Sequence, residues 1–220
     1  MTRRLWPVLM ATGVGLAILC SLGFWQVQRL GQKQLLIAAL EARMNEAPVP
    51  LAEALKRVSA GEDVEYLKVT AIGALDLTHI LKKQSSFKGM PAWEAIAPFK
   101  ADDGSTVLVD LGVATSTPTA INQLNGIVRL HNKGKGFFDN DNSATNNEWF
   151  WWDVPAMQKA AGISSPLVIV QSLQSEAGFE AAEAKVELAN NHLGYAITWF
   201  GLALALVGVS AAFMLRKPNA

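Results

Sequence analysis

The sequence predicts an α+β membrane protein, with two transmembrane helices flanking an antiparallel, β-rich, barrel-like extracytoplasmic domain that has one or two helices of its own. Three observations lead there. Uncharged runs occupy both ends of the 220-residue chain, at 5–27 and 193–215. Between them lie short apolar, β-branched or aromatic runs punctuated by Gly, Pro, Asn and Asp. Half of the residues are hydrophobic and 17% are charged, which is rich for a soluble chain. With the two end runs removed, the middle is polar enough for one ordinary globular domain.

The first run follows Arg3 and Arg4 and meets no charge until Arg29. A helix needs roughly 20 apolar residues to cross about 30 Å of hydrocarbon. A cleaved signal peptide wants small residues just before the cut. Ile18, Leu19 and Cys20 fit that poorly, as do Leu22, Phe24 and Trp25. Residues 7–25 therefore read as a retained anchor, with a cleaved signal as the alternative. The second run begins after Asn190, Asn191 and His192 and is stopped by Arg216 and Lys217. Positive charge at the two outer ends places both termini in the cytoplasm. Arg29 and Lys33 argue the other way, but a long loop translocates largely regardless of charge. The expected organisation is a cytoplasmic tip and first span at 1–25, a periplasmic α+β domain at 26–191, a second span at 192–215 and a cytoplasmic tail at 216–220. No Arg- and Ser-rich presequence precedes the anchor, which points to a bacterial inner (plasma) membrane.

Residues 26–44 continue the first span as a helix. Val27, Leu30, Ile37, Leu40 and Met44 fall at helical spacing, with Gln28, Arg29, Gln32 and Lys33 on the other side. Pro48 and Pro50 end it, and 51–58 reads as a further short helix. Strands are predicted at 66–72, 75–81, 92–99, 106–113, 126–131, 148–153 and 166–173. Turns fall at 88–91, 102–105 and 116–118; the second is a hairpin in which Gly104 takes positive φ. Asp153 caps a helix over 153–162, Pro155 fits its first turn and Gly162 closes it. An Asn-rich loop covers 140–147. Gly201, Ala205, Gly208 and Ala212 share one face of the second span, and Gly13 and Ala17 one face of the first. Small residues let helices approach closely in lipid, so the spans are expected to pack through these faces.

Zero net charge and the lack of a basic patch interleaved with aromatics argue against nucleic-acid binding. The lone cysteine, Cys20, lies in the first span, so the outer domain has no disulfide, thiol-exchange pair or covalent haem-attachment motif. There is no Gly-x-Ser-x-Gly elbow, His-Glu-x-x-His or phosphate-cradling loop, so no catalytic residue is assigned and the chain reads as a non-enzyme. His79 and His131 read as solvated or structural. His192 differs because Tyr195, Ala196 and Trp199 share its helical face. With the spans packed, His192, Tyr195, Trp199, Trp25 and Gln26 would surround one patch at the outer membrane surface. An imidazole there could ligate an iron porphyrin. The same residues also make an ordinary interfacial belt, and side-chain chemistry by itself favours the belt.

Several segments carry a resemblance. Residues 23–29 (GFWQVQR) and 190–200 (NNHLGYAITWF) resemble the two signature regions of the surfeit locus protein 1 family. Residues 108–113 (LVDLGV), 126–129 (GIVR) and 149–157 (WFWWDVPAM) resemble its middle motifs, in the same order. Leu111 and Val113 depart from the pattern, standing where Arg and Trp are usual, and Pro91 and Trp93 replace a Gly-aromatic pair. The resemblance implies an assembly factor for the haem-copper cytochrome c oxidase that binds or hands over haem a transiently, with His192 as the candidate axial ligand of the haem iron. Implied partners are the main oxidase subunit, the enzyme that makes haem a and the lipid bilayer. The alternative is a cofactor-free scaffold that stabilises oxidase intermediates through its periplasmic domain.

Overall fold

One uninterrupted helix, α1 (Thr2–Met44), carries both the first span and the helical stretch after it. There follow β1 (Val49–Pro50), α2 (Leu51–Ser59), β2 (Lys68–Leu75), β3 (Leu81–Phe87), β4 (Met90–Ala101) and β5 (Thr106–Ala114). Next come β6 (Gln123–Arg129), β7 (Glu148–Trp149), α3 (Val154–Ala160), β8 (Ile169–Ser172), β9 (Phe179–Glu180) and α4 (His192–Leu215). This computed structural model describes residues 2–115, 121–131, 134–175, 178–181, 186 and 188–215. The turn expected at 116–118 and the stop at Arg216 and Lys217 lie outside them. The chain divides into two compact units, Met1–Ala39 with Glu187–Ala220, and Leu40–Val186.

In the first unit α1 and α4 are the two helices long and apolar enough to cross a membrane. They fit a two-pass membrane protein. They pack together, but not through the expected faces: Gly201, Ala205, Gly208, Ala212, Gly13 and Ala17 are all exposed. The buried seam of α4 is Ala196, Ala203 and Ser210, at seven-residue steps, the spacing of a left-handed helix pair. Polar contacts explain the choice of face. Ser210 Oγ meets Thr12 Oγ1 at 2.8 Å near one end, and Gln26 meets His192 near the other. Gly23 is buried against Phe200; a Cβ there would lie 2.7 Å from that ring.

The second unit holds a nine-stranded sheet among the described residues, in the order β1-β2-β6-β8-β5-β4-β3-β7, with β9 beside β5. The sheet is mixed, not antiparallel as expected: β1–β2, β3–β7 and β5–β8 are parallel. Hairpins give antiparallel pairs, and local patterns show hairpins; parallel partners are joined by crossovers, which no local pattern reveals. Strand β2 pairs with β6 up to Ile72 and with β4 from Gly73. The run β2-β6-β8-β5-β4 thereby becomes a hydrogen-bonded circuit. Gly73 permits this change of partner, because a Cβ there would land on the Lys100 carbonyl oxygen.

Alternation along β5 explains the core. Val107, Val109 and Leu111 join one apolar cluster with Phe99, Val128, Val170 and the buried Leu51, Ala54 and Leu55 of α2. Leu108 on the opposite face joins Leu81, Ile96, Trp149, Ile169 and the Val154 and Met157 of α3. A strand buried on both faces reads as a nearly continuous apolar run. Asp153 caps α3 as expected, accepting from the Ala156 N–H at 3.1 Å. The strand expected over 75–81 is instead a 3₁₀ turn, Leu77–His79. Asp76 accepts from the Thr78 N–H at 2.8 Å and approaches His79 Nδ1 at 2.7 Å, drawing the backbone out of the extended form.

Candidate functional site

His192 opens α4, and its ring is half-buried against α1. The contact is specific: His192 Nδ1 lies 2.7 Å from Gln26 Oε1. Gln26 is only 8% exposed, the most deeply buried polar side chain among the described residues of α1. Amphipathic phasing does not explain a buried glutamine inside an apolar span; a hydrogen-bond partner on the neighbouring helix does. Two residues before His192, the Oδ1 of Asn190 is buried with no donor among the described residues. Phe24 and Phe200 meet edge to face, centroids 5.4 Å apart, beside Gly23.

Of the five expected site residues, His192 and Gln26 are thus in direct contact, and Trp199 is half-buried. Trp25 is 50% exposed and Tyr195 56%. Exposed Trp and Tyr at the end of an apolar span suit the interfacial belt, while the His–Gln pair faces inward between the helices.

The model of the SURF1 family matches residues 14–204. The chain belongs to the SURF1 family. It is 32% identical to Surfeit locus protein 1 of Mus musculus over 213 residues, covering 84% of this chain and 68% of the mouse protein. It is 31% identical to Surfeit locus protein 1 of Homo sapiens over 84% of this chain and 70% of that one. A SURF1-like protein of Rickettsia felis is 24% identical over 86% of this chain and 89% of its own.

Of the departures from the family pattern, Leu111 and Val113 fall on β5, and Pro91 and Trp93 on β4. Leu111 is buried in the core cluster around Phe99, where an apolar side chain suits its surroundings. Val113 lines a cleft of about 550 Å³ together with Phe87, Met90, Trp93 and Phe179.

This SURF1 chain also holds a buried polar group that sequence reasoning missed. Asp110, 6% exposed, accepts from the Gly112 N–H at 2.9 Å. Burial pushes its carboxyl up to about 7, with the negative Glu94 adding to the effect. Glu94 itself is held by Lys83 Nζ at 3.0 Å and Ser85 Oγ at 2.7 Å. Lys83 lies over the Trp152 ring, and His131 stacks on that same ring at 4.0 Å. Burial, then the positive Arg129 and Lys83, hold the His131 ring down at about 3, so it is neutral at physiological pH. His79, by contrast, is an exposed turn residue bonded to Asp76. His79 is thus held in its turn and His131 by its stack on Trp152, with the buried His131 Nε2 unpartnered among the described residues. The alternation of Leu81, Lys83, Ser85 and Phe87 marks β3, but two of the four inward residues are polar, and that hid the strand.

Proposed function

We propose that this SURF1-family chain is an assembly factor for the haem-copper cytochrome c oxidase that holds haem a for the main oxidase subunit and performs no turnover. It sits in a bacterial inner membrane with both termini cytoplasmic and the sheet-bearing unit periplasmic. The observation that carries the reading is His192, a half-buried imidazole at the first turn of the second apolar helix. Haem a is the cargo, received from the enzyme that makes it. The residues suit such a group. His192 supplies an imidazole, the commonest haem-iron donor. Phe24 and Phe200 supply apolar surface alongside. The buried Asn190 Oδ1 is an acceptor with no donor among the described residues, and a buried acceptor without a partner costs about 1–3 kcal/mol. Because Leu111 carries no charge, a propionate-pairing role for a cation at that position is not part of the proposal.

The test is the absorption spectrum of the full chain purified from cells that make haem a, beside its His192→Ala variant. A haem band in the wild type that is largely lost in the variant is expected. A colourless wild-type protein that accepts no added haem a, with normal oxidase levels in the His192→Ala strain, would point instead to the cofactor-free scaffold.

A further inference from the structure

We propose that Gln26 is a positioning residue whose side-chain carbonyl holds His192 in the Nδ1–H tautomer, leaving Nε2 as the lone-pair nitrogen of the ring. An amide oxygen accepts hydrogen bonds and cannot donate them. Its 2.7 Å approach to Nδ1 therefore places the hydrogen on Nδ1. A neutral imidazole in water prefers the other tautomer, so the contact selects the minor form. Among the described residues, Gln26 is the hydrogen-bond partner of this ring. Burial makes the pairing compulsory: a buried amide oxygen without a donor costs about 1–3 kcal/mol, and Gln26 is 8% exposed. Nothing in the helix periodicity of α1 calls for a glutamine there, so the residue is explained by what it bonds.

The consequence is chemical. Which imidazole nitrogen can bind a metal is set by the bond that the other one makes. Such a partner fixes ring orientation and raises ligand basicity, and its removal typically weakens metal binding about 10–100-fold. This use of the tautomer rests on the haem-handling reading above; the tautomer itself does not.

Two measurements on the full-length chain in detergent micelles test the proposal. In the first, the three histidines carry ¹⁵N, and His192→Ala identifies the His192 signals. The expected result is an Nδ1–H ring in the wild type and in Gln26→Glu, reverting to Nε2–H in Gln26→Leu. An Nε2–H ring in the wild type, or one that ignores Gln26→Leu, overturns the proposal. In the second, ferric protoporphyrin IX is titrated and followed at the Soret band. Gln26→Leu should weaken binding roughly 10–100-fold. Gln26→Glu should keep binding and raise the iron–histidine stretching frequency of the reduced complex, which a purely packing role would leave alone. Binding that survives Gln26→Leu but not His192→Ala overturns the positioning role and leaves haem handling intact. Binding that survives His192→Ala overturns the ligand reading, while the nitrogen shifts still decide the tautomer.

Discussion

Replacing Asp110 by Asn should change how the stability of the sheet-bearing unit depends on pH. The carboxyl is 6% exposed, and its titration is raised from the ordinary 3.8 to about 7, by burial first and then by Glu94. A raised carboxylic acid binds its proton more tightly in the folded chain than in the unfolded one. The stability it contributes is therefore complete below about pH 3.8 and is lost as pH rises through about 7. The span is about three pH units at about 1.36 kcal/mol each, which bounds the effect at about 4 kcal/mol. Coupling to Glu94 and Lys83 makes that figure a ceiling. Asn does not titrate, and its Oδ1 can still accept from the Gly112 N–H. Thermal melts of the full chain, followed by tryptophan fluorescence from pH 4 to 8, read the difference. The variant should gain on the wild type steadily with pH, by up to roughly 10 °C at the upper end. A gap that stays constant over the range, or a wild type that gains instead, would refute the buried-acid assignment.

Other outcomes follow from the same structure. His131→Phe keeps a ring on Trp152 but removes a base held at about 3. A depressed base contributes stability present above about pH 6.5 and lost toward pH 3, so the variant should melt with a flatter acid limb between pH 6.5 and 4. Gly23→Leu forces a side chain into Phe200. Such overpacking costs about 1–3 kcal/mol, and it should reduce disulfide formation between Thr12→Cys and Ser210→Cys in a Cys20→Ser background. Trp149→Ala empties the largest fully buried side-chain position among the described residues; a loss of about 3–5 kcal/mol, read from the urea midpoint, is expected.

Much of the fold was legible because its elements announce themselves locally. Both end runs are apolar beyond the needs of a soluble core, β5 is a dense apolar run, and Asp153 with Pro155 marks the start of α3. What stayed hidden depends on distant partners. Strand β3 turns Lys83 and Ser85 inward, and their bonds to Glu94 on β4, with Trp152 under the Lys83 ammonium, make that affordable. Pairing β5 with β8 needs residues some 60 positions apart. At the candidate site His192 stood out through its neighbours. The closeness of Gln26 follows from the α4 seam through Ala196, Ala203 and Ser210, and the small-residue pattern pointed to a different face. Counting Gly and Ala is blind to a serine–threonine contact such as Ser210 with Thr12.

The change of partner by β2 at Gly73 also bears on how this protein stays out of trouble with its own copies. Exposed strand edges are templates for pairing between molecules, and short edge strands are one protection against it. Here the five central strands find both their neighbours within the chain, and the two ends of the strand order, β1 and β7, are two residues long each. Among the described residues, the ladder left open at the β7 end is the outer edge of Gln84–Phe87 on β3, which β7 does not reach. A bulky residue at Gly73 would unseat β2 from β4 over three residue pairs and break the circuit, so that variant, more than the native chain, should form domain-swapped or fibrous species under crowded expression.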